Sequence, residues 1–280
     1  MLRISDDRLD QIIAEDVPYI DLTSEVLGID EQPGRIEYYT REACTLCATE
    51  EVERIMQKLG LEVEWSLPSG AQLEAGQSCL SATGRADAIH QAWKVCLNLF
   101  DHLSAVSTKT KTMVDAAHAE NPGCEVLTTR KSMPGIKDFL TKAVMVGGSW
   151  PHRLGLSETV LVFDNHTAFM GGFDAFLEQL PQIRRRCVEK KIFVEADAAQ
   201  ARRLADRGID GIQFDKVPPE QLRELVPELK GIDPRITLIA AGGINPQNAG
   251  DYAATGVDGL VTTSLFTAKP IDMSVRITAL

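Results

Sequence analysis

Two rhythms of hydrophobic and polar positions divide the chain. Up to residue 105, short strand-like and helix-like segments mix without regular alternation. IEYYTREA (36–43) alternates apolar and polar as a half-buried strand does, and TEEVERIMQKLG (49–60) repeats its apolar residues at helical spacing until Gly60. EVEWSLPSGAQL (62–73) reads as a strand entering a Pro-Ser-Gly turn, and GQSCLSATGR (76–85) as a second strand and turn. From 86 to 121 apolar residues recur at three and four, which predicts helix. A break is expected near Leu103–Ser107, parting two domains, 1–105 and 106–280.

Beyond Pro122 the pattern becomes repetitive. Near-continuous apolar runs occur at EVLTTR (125–130), TVLVFDNH (159–166), KIFVEAD (191–197), GIQFDK (211–216), ITLIAAGG (236–243) and GLVTTSL (259–265). Helical runs intervene: KDFLTKAVM, FDAFLEQLPQIRRRCVEK, AAQARRLADRG, PPEQLRELVPELK and PQNAGDYAATG. Apolar strands alternating with helices predict a parallel sheet covered on both faces. RGIDGIQFD (207–215) and TGVDGLVTT (255–263) echo one another, each with a helix-ending Gly, an Asp-Gly and a buried strand. Six or seven βα units fit the 175 residues from 106 onward, whereas a full eight-fold barrel takes about 250. The expected fold class is therefore α/β, an N-terminal α/β sandwich domain followed by an incomplete, six- or seven-stranded βα barrel. An open doubly wound sheet is the alternative. Either architecture puts a site at the carboxyl ends of the strands.

Those ends carry a pointed set of side chains: Arg130 and Lys131; Asp164, Asn165 and His166; Glu195 and Asp197; Asp215 and Lys216; Gly242 and Gly243; Thr262, Thr263 and Ser264. The loop GGSWPHRLGL (147–156) adds His152 and Arg153. Cations at Arg130, Lys131, His152 and Arg153 suit a phosphate or carboxylate ligand. Glu195 and Asp215 suit sugar hydroxyls, a developing positive carbon, or Mg²⁺ bridging phosphates. Gly242-Gly243, read as opening a helix, offers bare backbone to a phosphate. Blander readings compete: Arg130-Lys131 as a solvated pair, Asp215 as a helix cap, His152 as a satisfied loop histidine. His90 and His118 carry no partner signal, and Arg184-Arg185-Arg186 is read as ending a helix.

Charge sharpens the cationic cluster. The 280 residues hold 29 Lys and Arg against 40 Asp and Glu, a formal net charge of −11. Such a chain is a poor binder of nucleic acid or anionic membranes, so an anionic ligand needs a local basic site. The N-terminus MLRISDDRLDQ lacks the apolar stretch of a signal peptide, and no run approaches the length of a membrane span. Six cysteines then read as reduced thiols of a cytoplasmic protein, and the lone Cys44-x-x-Cys47 pair is weak evidence for metal or redox chemistry.

TTRKSMPG (128–135) and GGSWPHRLGL resemble the signatures of the quinolinate phosphoribosyltransferase family (nicotinate-nucleotide pyrophosphorylases). VFDNH, VEAD, FDKV, AAGGIN and TGVDGL follow in the family's order, and EDVPYIDLTSE (15–25) resembles its N-terminal element. The resemblance implies a homodimer, or an oligomer of dimers, whose sites are completed by the neighbour's N-terminal domain. It implies Mg²⁺-dependent transfer of phosphoribosyl from phosphoribosyl pyrophosphate to a small anionic acceptor. Glu195, Asp215 and Lys131 would be catalytic, Glu195 and Asp215 also holding magnesium. Lys94, Arg130, His152, Arg153, Gly242 and Gly243 would bind substrate.

Several positions depart from the family pattern, and the sugar-side groups survive better than the acceptor-side ones. Lys94 stands for an Arg, Phe163 for a basic residue before Asp-Asn-His, Met145 for an Arg, Lys216 for an Asn and Ala241 for a Ser. Losing two cations should cost a dicarboxylate several kcal/mol, at ~1.5–3 kcal/mol per charged hydrogen bond. Together with the ending VTTSLFTAKPID (261–272), these departures resemble the ModD branch of the family, associated with molybdenum transport and described as pyrophosphorylases. The expected acceptor is an anion with fewer carboxylates than quinolinate, and the Phe163 ring could either close the pocket or stack on a ligand. Rival expectations are quinolinate turnover in NAD synthesis, a non-catalytic oxyanion or nucleotide binder, and a sugar-phosphate isomerase.

Overall fold

In the computed structural model, which describes residues 2–280, the chain forms two compact units. One comprises the chain up to Lys111 with Met133–Gly148 and Phe266–Leu280; the other comprises Thr112–Ser132 and Ser149–Leu265. Among the described residues no helix is long and apolar enough to cross a membrane.

The first unit holds β1 (Pro33–Thr40), β2 (Cys44–Thr45), β3 (Glu62–Ser66), β4 (Gln72–Leu73) and β5 (Ser78–Arg85). β1 alternates as its sequence predicts, burying Ile36, Tyr38 and Thr40. It pairs antiparallel with β5, which carries β3. Its other edge pairs with the C-terminal strand Met273–Ala279, Thr40 opposite Met273. That strand escapes the hydrophobic pattern because only Met273 of its residues is buried. The helix Thr49–Lys58 buries Val52, Ile55 and Met56. The unit's one fully buried lysine, Lys142, donates to Glu50 at 2.7 Å and to Glu51, so its charge is paired where water is excluded.

Ala86–Glu120 is a single helix of 35 residues, which corrects the expected break near Leu103–Ser107. Gly and Pro are absent from it. The serines and threonines of this stretch donate to carbonyls one turn back, Ser107 and Thr108 to Ser104 and Thr110 to Val106.

The second unit is a seven-stranded parallel sheet: β6 (Glu125–Thr128), β7 (Trp150–Pro151), β8 (Val160–Val162), β9 (Ile192–Glu195), β10 (Gly211–Asp215), β11 (Thr237–Ala241) and β12 (Gly259–Thr262). The order is β7-β6-β12-β11-β10-β9-β8. Consecutive strands from β8 to β12 are neighbours, and the last then pairs with the first, β6. A doubly wound sheet would instead reverse its order midway; this order is an incomplete barrel, open between β7 and β8. β7 went unpredicted because two residues are too few to show a period.

The barrel interior is filled by Leu161, Phe193, Ile239, Ala241 and Val261, with Leu127 and Phe163 packed against them. Phe193 faces Gly211 across the β9–β10 pair. A Cβ at 211 would lie within 2.5 Å of three carbons of that ring. One strand end and one helix differ from expectation. Asp164, Asn165 and His166 begin a short helix, Asp164–Thr167, rather than ending β8. The helix expected at PQNAGDYAATG shrinks to Ala249–Ala253, because Asn245 and Asn248 side chains accept from backbone N–H groups and hold a turn there.

Replacing Gly211 with Ala should destabilise the protein by about 1–3 kcal/mol through overpacking. Adding Phe193→Leu should recover part of that loss, measured as non-additive urea unfolding free energies.

Candidate active site

The carboxyl ends of the parallel strands enclose a cavity of about 540 Å³, within the ~300–1,000 Å³ range of small-molecule sites. Arg130, Lys131, His152, Arg153, Glu195, Asp215, Gly242 and Gly243 all line it. Strand geometry brings them together. Alternate residues of a strand share a face, so on β9 Glu195 stands on the face of Phe193, and on β10 Asp215 on that of Gln213. The register then sets Glu195 beside Gln213 and Asp215 beside Ala241.

Glu195 is half-buried, and Gln213 Nε2 donates to its Oε2 at 2.8 Å. Burial pushes its carboxyl pKa above the ordinary value, reinforced by the charges of Asp215 and Asp164; the Gln213 hydrogen bond and Lys131 pull it back. Gln213 was missed in the sequence. Its signal was a polar residue at an inward position of an apolar strand, two before the candidate Asp215.

The cations come from two loops. Lys131 follows β6, its backbone N–H donating to Thr129 Oγ1 at 3.1 Å; that hydroxyl meets Thr263 at 2.8 Å and ties the ends of β6 and β12 together. His152 follows β7, its N–H bonded to Thr128 O at 3.0 Å and its ring edge-on to Phe193, 5.8 Å between centroids. Burial and the adjacent Arg153 hold the His152 pKa below its ordinary value, so the imidazole is neutral at pH 7. Burial and Arg130 also lower the Arg153 pKa, without discharging a guanidinium. Arg130, Lys131, Arg153 and Lys216 thus set four cations against Glu195 and Asp215 in one cavity of an acidic chain.

Phe163 lines the cavity and packs on the apolar interior, stacked on His166 at 5.7 Å. The ring is a wall of the cavity and leaves it open. Gly242 and Gly243 take φ of +89° and +78°, but they precede a turn and a five-residue helix, so no helix N-terminus stands behind them. What they offer is bare backbone: a Cβ at Gly243 would meet nothing within 4 Å.

Other candidates fall outside. Asp197 caps the helix Ala198–Asp206, accepting from Gln200 N at 2.8 Å. Asp164, Asn165 and His166 do not line the cavity. Lys94 is an exposed residue of the first unit, its ammonium 4.8 Å from the Trp93 ring centroid, and it is not among the residues lining the cavity of its own chain. Cys44 and Cys47 are buried free thiols, and burial raises Cys47 to about 12.

Comparison with known proteins meets this geometry. Residues 106–276 match the model of the C-terminal domain of quinolinate phosphoribosyl transferase, and residues 21–104 that of its N-terminal domain. A protein of Rhodobacter capsulatus named "Putative pyrophosphorylase ModD" is 41% identical over 257 residues, 91% of this chain and 98% of that one. A nicotinate-nucleotide pyrophosphorylase (carboxylating) of Mycobacterium leprae is 33% identical over 207 residues, 74% of this chain and 71% of that one. The crystal structure of NadC from Streptococcus pyogenes aligns with a TM-score of 0.88 at 25% identity, covering 98% of each chain.

A carboxyl whose folded pKa is raised binds its proton more tightly in the native state than when unfolded. Ionising Glu195 therefore costs stability as pH rises through its raised pKa. Glu195→Gln should raise the urea midpoint at pH 7, and the stability gain should shrink as pH falls toward the ordinary carboxylate range.

Proposed function

Because the chain belongs to the quinolinate phosphoribosyl transferase family, we propose that its cavity transfers phosphoribosyl from phosphoribosyl pyrophosphate to a planar anionic acceptor bearing fewer carboxylates than quinolinate. The observation that carries this is the division of one cavity: four cations and two carboxylates on some strand ends, and an aromatic wall, Phe163, on another.

Departure of pyrophosphate from the anomeric carbon leaves an oxocarbenium-like carbon and a strongly anionic leaving group. Lys131, Arg130 and Arg153 answer the leaving charge, and neutral His152 serves as a hydrogen-bonding group beside them. Glu195 and Asp215 orient the ribose hydroxyls and stabilise the cationic carbon. Glu195 and Asp215, carboxylates lining one cavity, are the residues that would hold Mg²⁺. When bound, Mg²⁺ would supply charge neutralisation on pyrophosphate. Phe163, packed from behind by the barrel interior, stacks on the acceptor ring, where a cation would instead grip a second carboxylate.

We assign Lys94 to the cavity of a second copy in a homodimer. Support comes from the exposed apolar side chains Tyr19, Ile20, Leu22 and Val26 on the first unit, a surface that suits a protein partner.

Pyrophosphate release from phosphoribosyl pyrophosphate and Mg²⁺, assayed against ring mono- and dicarboxylates, tests the acceptor. A monocarboxylate should support turnover and quinolinate should not; quinolinate as the best substrate would overturn the acceptor assignment. Arg153→Ala should lower kcat/KM roughly 100-fold, the usual cost of one transition-state charge contact.

A further inference from the structure

Lys216 follows Asp215 with φ of +58°, in the left-handed region. Among the described residues only Ala48 shares such a backbone without being glycine. Asn and Asp tolerate that region far better than a long side chain does, so lysine here carries strain that the neighbourhood must hold. Two features hold it. Lys216 N–H donates to Ala241 O at 2.8 Å. Gly242, next along β11, leaves the space: its Cβ would stand 2.6 Å from both Lys216 Cγ and Asp215 Oδ1.

Stability does not account for the residue. The side chain is 79% exposed, and its ammonium lies 3.7 Å from Asp215 Oδ2, an exposed pair of the kind that contributes little. Strain kept at a cavity wall without a packing return points to a ligand. What lysine adds over the residues that favour this backbone is a mobile positive charge. It follows the end of β10, packs against Gly242 after the end of β11, and lines the cavity together with Gly243 and Asn245. The other cations, Arg130, Lys131 and Arg153, follow β6 and β7, beyond β12 in the sheet. A mobile ammonium in a cavity wall that also offers bare glycine backbone suits a phosphate monoester.

Resting on the phosphoribosyl reading, we infer that Lys216 grips the 5′-phosphate of the donor sugar, with pyrophosphate held separately by Arg130, Lys131 and Arg153. Asp215, next to Lys216, then faces the ribose between the two anionic groups.

Calorimetric titration of ribose 5-phosphate and, separately, inorganic pyrophosphate into wild type, Lys216→Met and Lys216→Asn tests this. Both variants should weaken ribose 5-phosphate binding by at least about tenfold, the loss of one charge-assisted hydrogen bond, and change pyrophosphate affinity less than about twofold. Lys216→Asn should also unfold at higher urea than wild type, since it relieves the strain, whereas Lys216→Met should not. Unchanged ribose 5-phosphate binding, or an equal loss for both ligands, overturns the assignment of Lys216 alone. Failure of the wild type to bind either ligand overturns the phosphoribosyl reading and this inference with it.

Discussion

Phe193 and Gly211 face each other across β9 and β10, and the ring occupies the volume that any side chain at 211 would need. Everything above this contact follows from it. With the register held there, Glu195 falls opposite Gln213, whose amide satisfies a carboxylate that burial has stripped of part of its water. The β10–β11 pairing then puts Asp215 opposite Ala241, and the turn that begins at Gly242 reaches back over Asp215 and Lys216. A slip of one residue would send Glu195 and Asp215 to the opposite face of the sheet and bring apolar side chains into the cavity. Packing in the floor thus determines chemistry at the rim.

The cavity works against the field of its own chain. A net charge of −11 opposes the approach of a polyanion, so affinity must be generated locally, by cations gathered in the cavity. Burial helps: it weakens screening of Arg153 and keeps His152 neutral, so that the imidazole adds hydrogen-bonding capacity without adding repulsion to the guanidinium beside it. The cost falls on Glu195, whose pKa burial raises; the Gln213 hydrogen bond and Lys131 pull it partly back. Charged side chains and the apolar ring of Phe163 line the same cavity, and the proposed division between donor and acceptor rests on that contrast.

Much of this was legible in the sequence, for physical reasons. Parallel strands buried on both faces read as apolar runs, and such strands end in the site, so Arg130, Lys131, Glu195, Asp215 and the Gly-Gly pair could be named before any coordinates. The pairing of first strand with last, which separates a barrel from a doubly wound sheet, leaves no local trace. Gln213 was overlooked because a polar residue inside an apolar strand gains its meaning only from the register that sets it beside Glu195. The continuity of the helix Ala86–Glu120 is not readable from its apolar spacing alone; the hydroxyls of Thr108 and Thr110 bond back along it. The C-terminal strand is paired by backbone at a sheet edge and shows almost no apolar alternation to read. Lys216 was visible as a lysine; its strained backbone was not.

Glu195 and Asp215, framed by cations, are proposed as the donor-sugar site of a phosphoribosyl transferase. Calorimetric titration of phosphoribosyl pyrophosphate into wild type and Glu195→Ala, with and without Mg²⁺, tests it most directly. Saturable binding by wild type that strengthens with Mg²⁺ and is lost in the variant is the predicted result. Binding of equal strength in the two proteins, or none in either, would contradict the account.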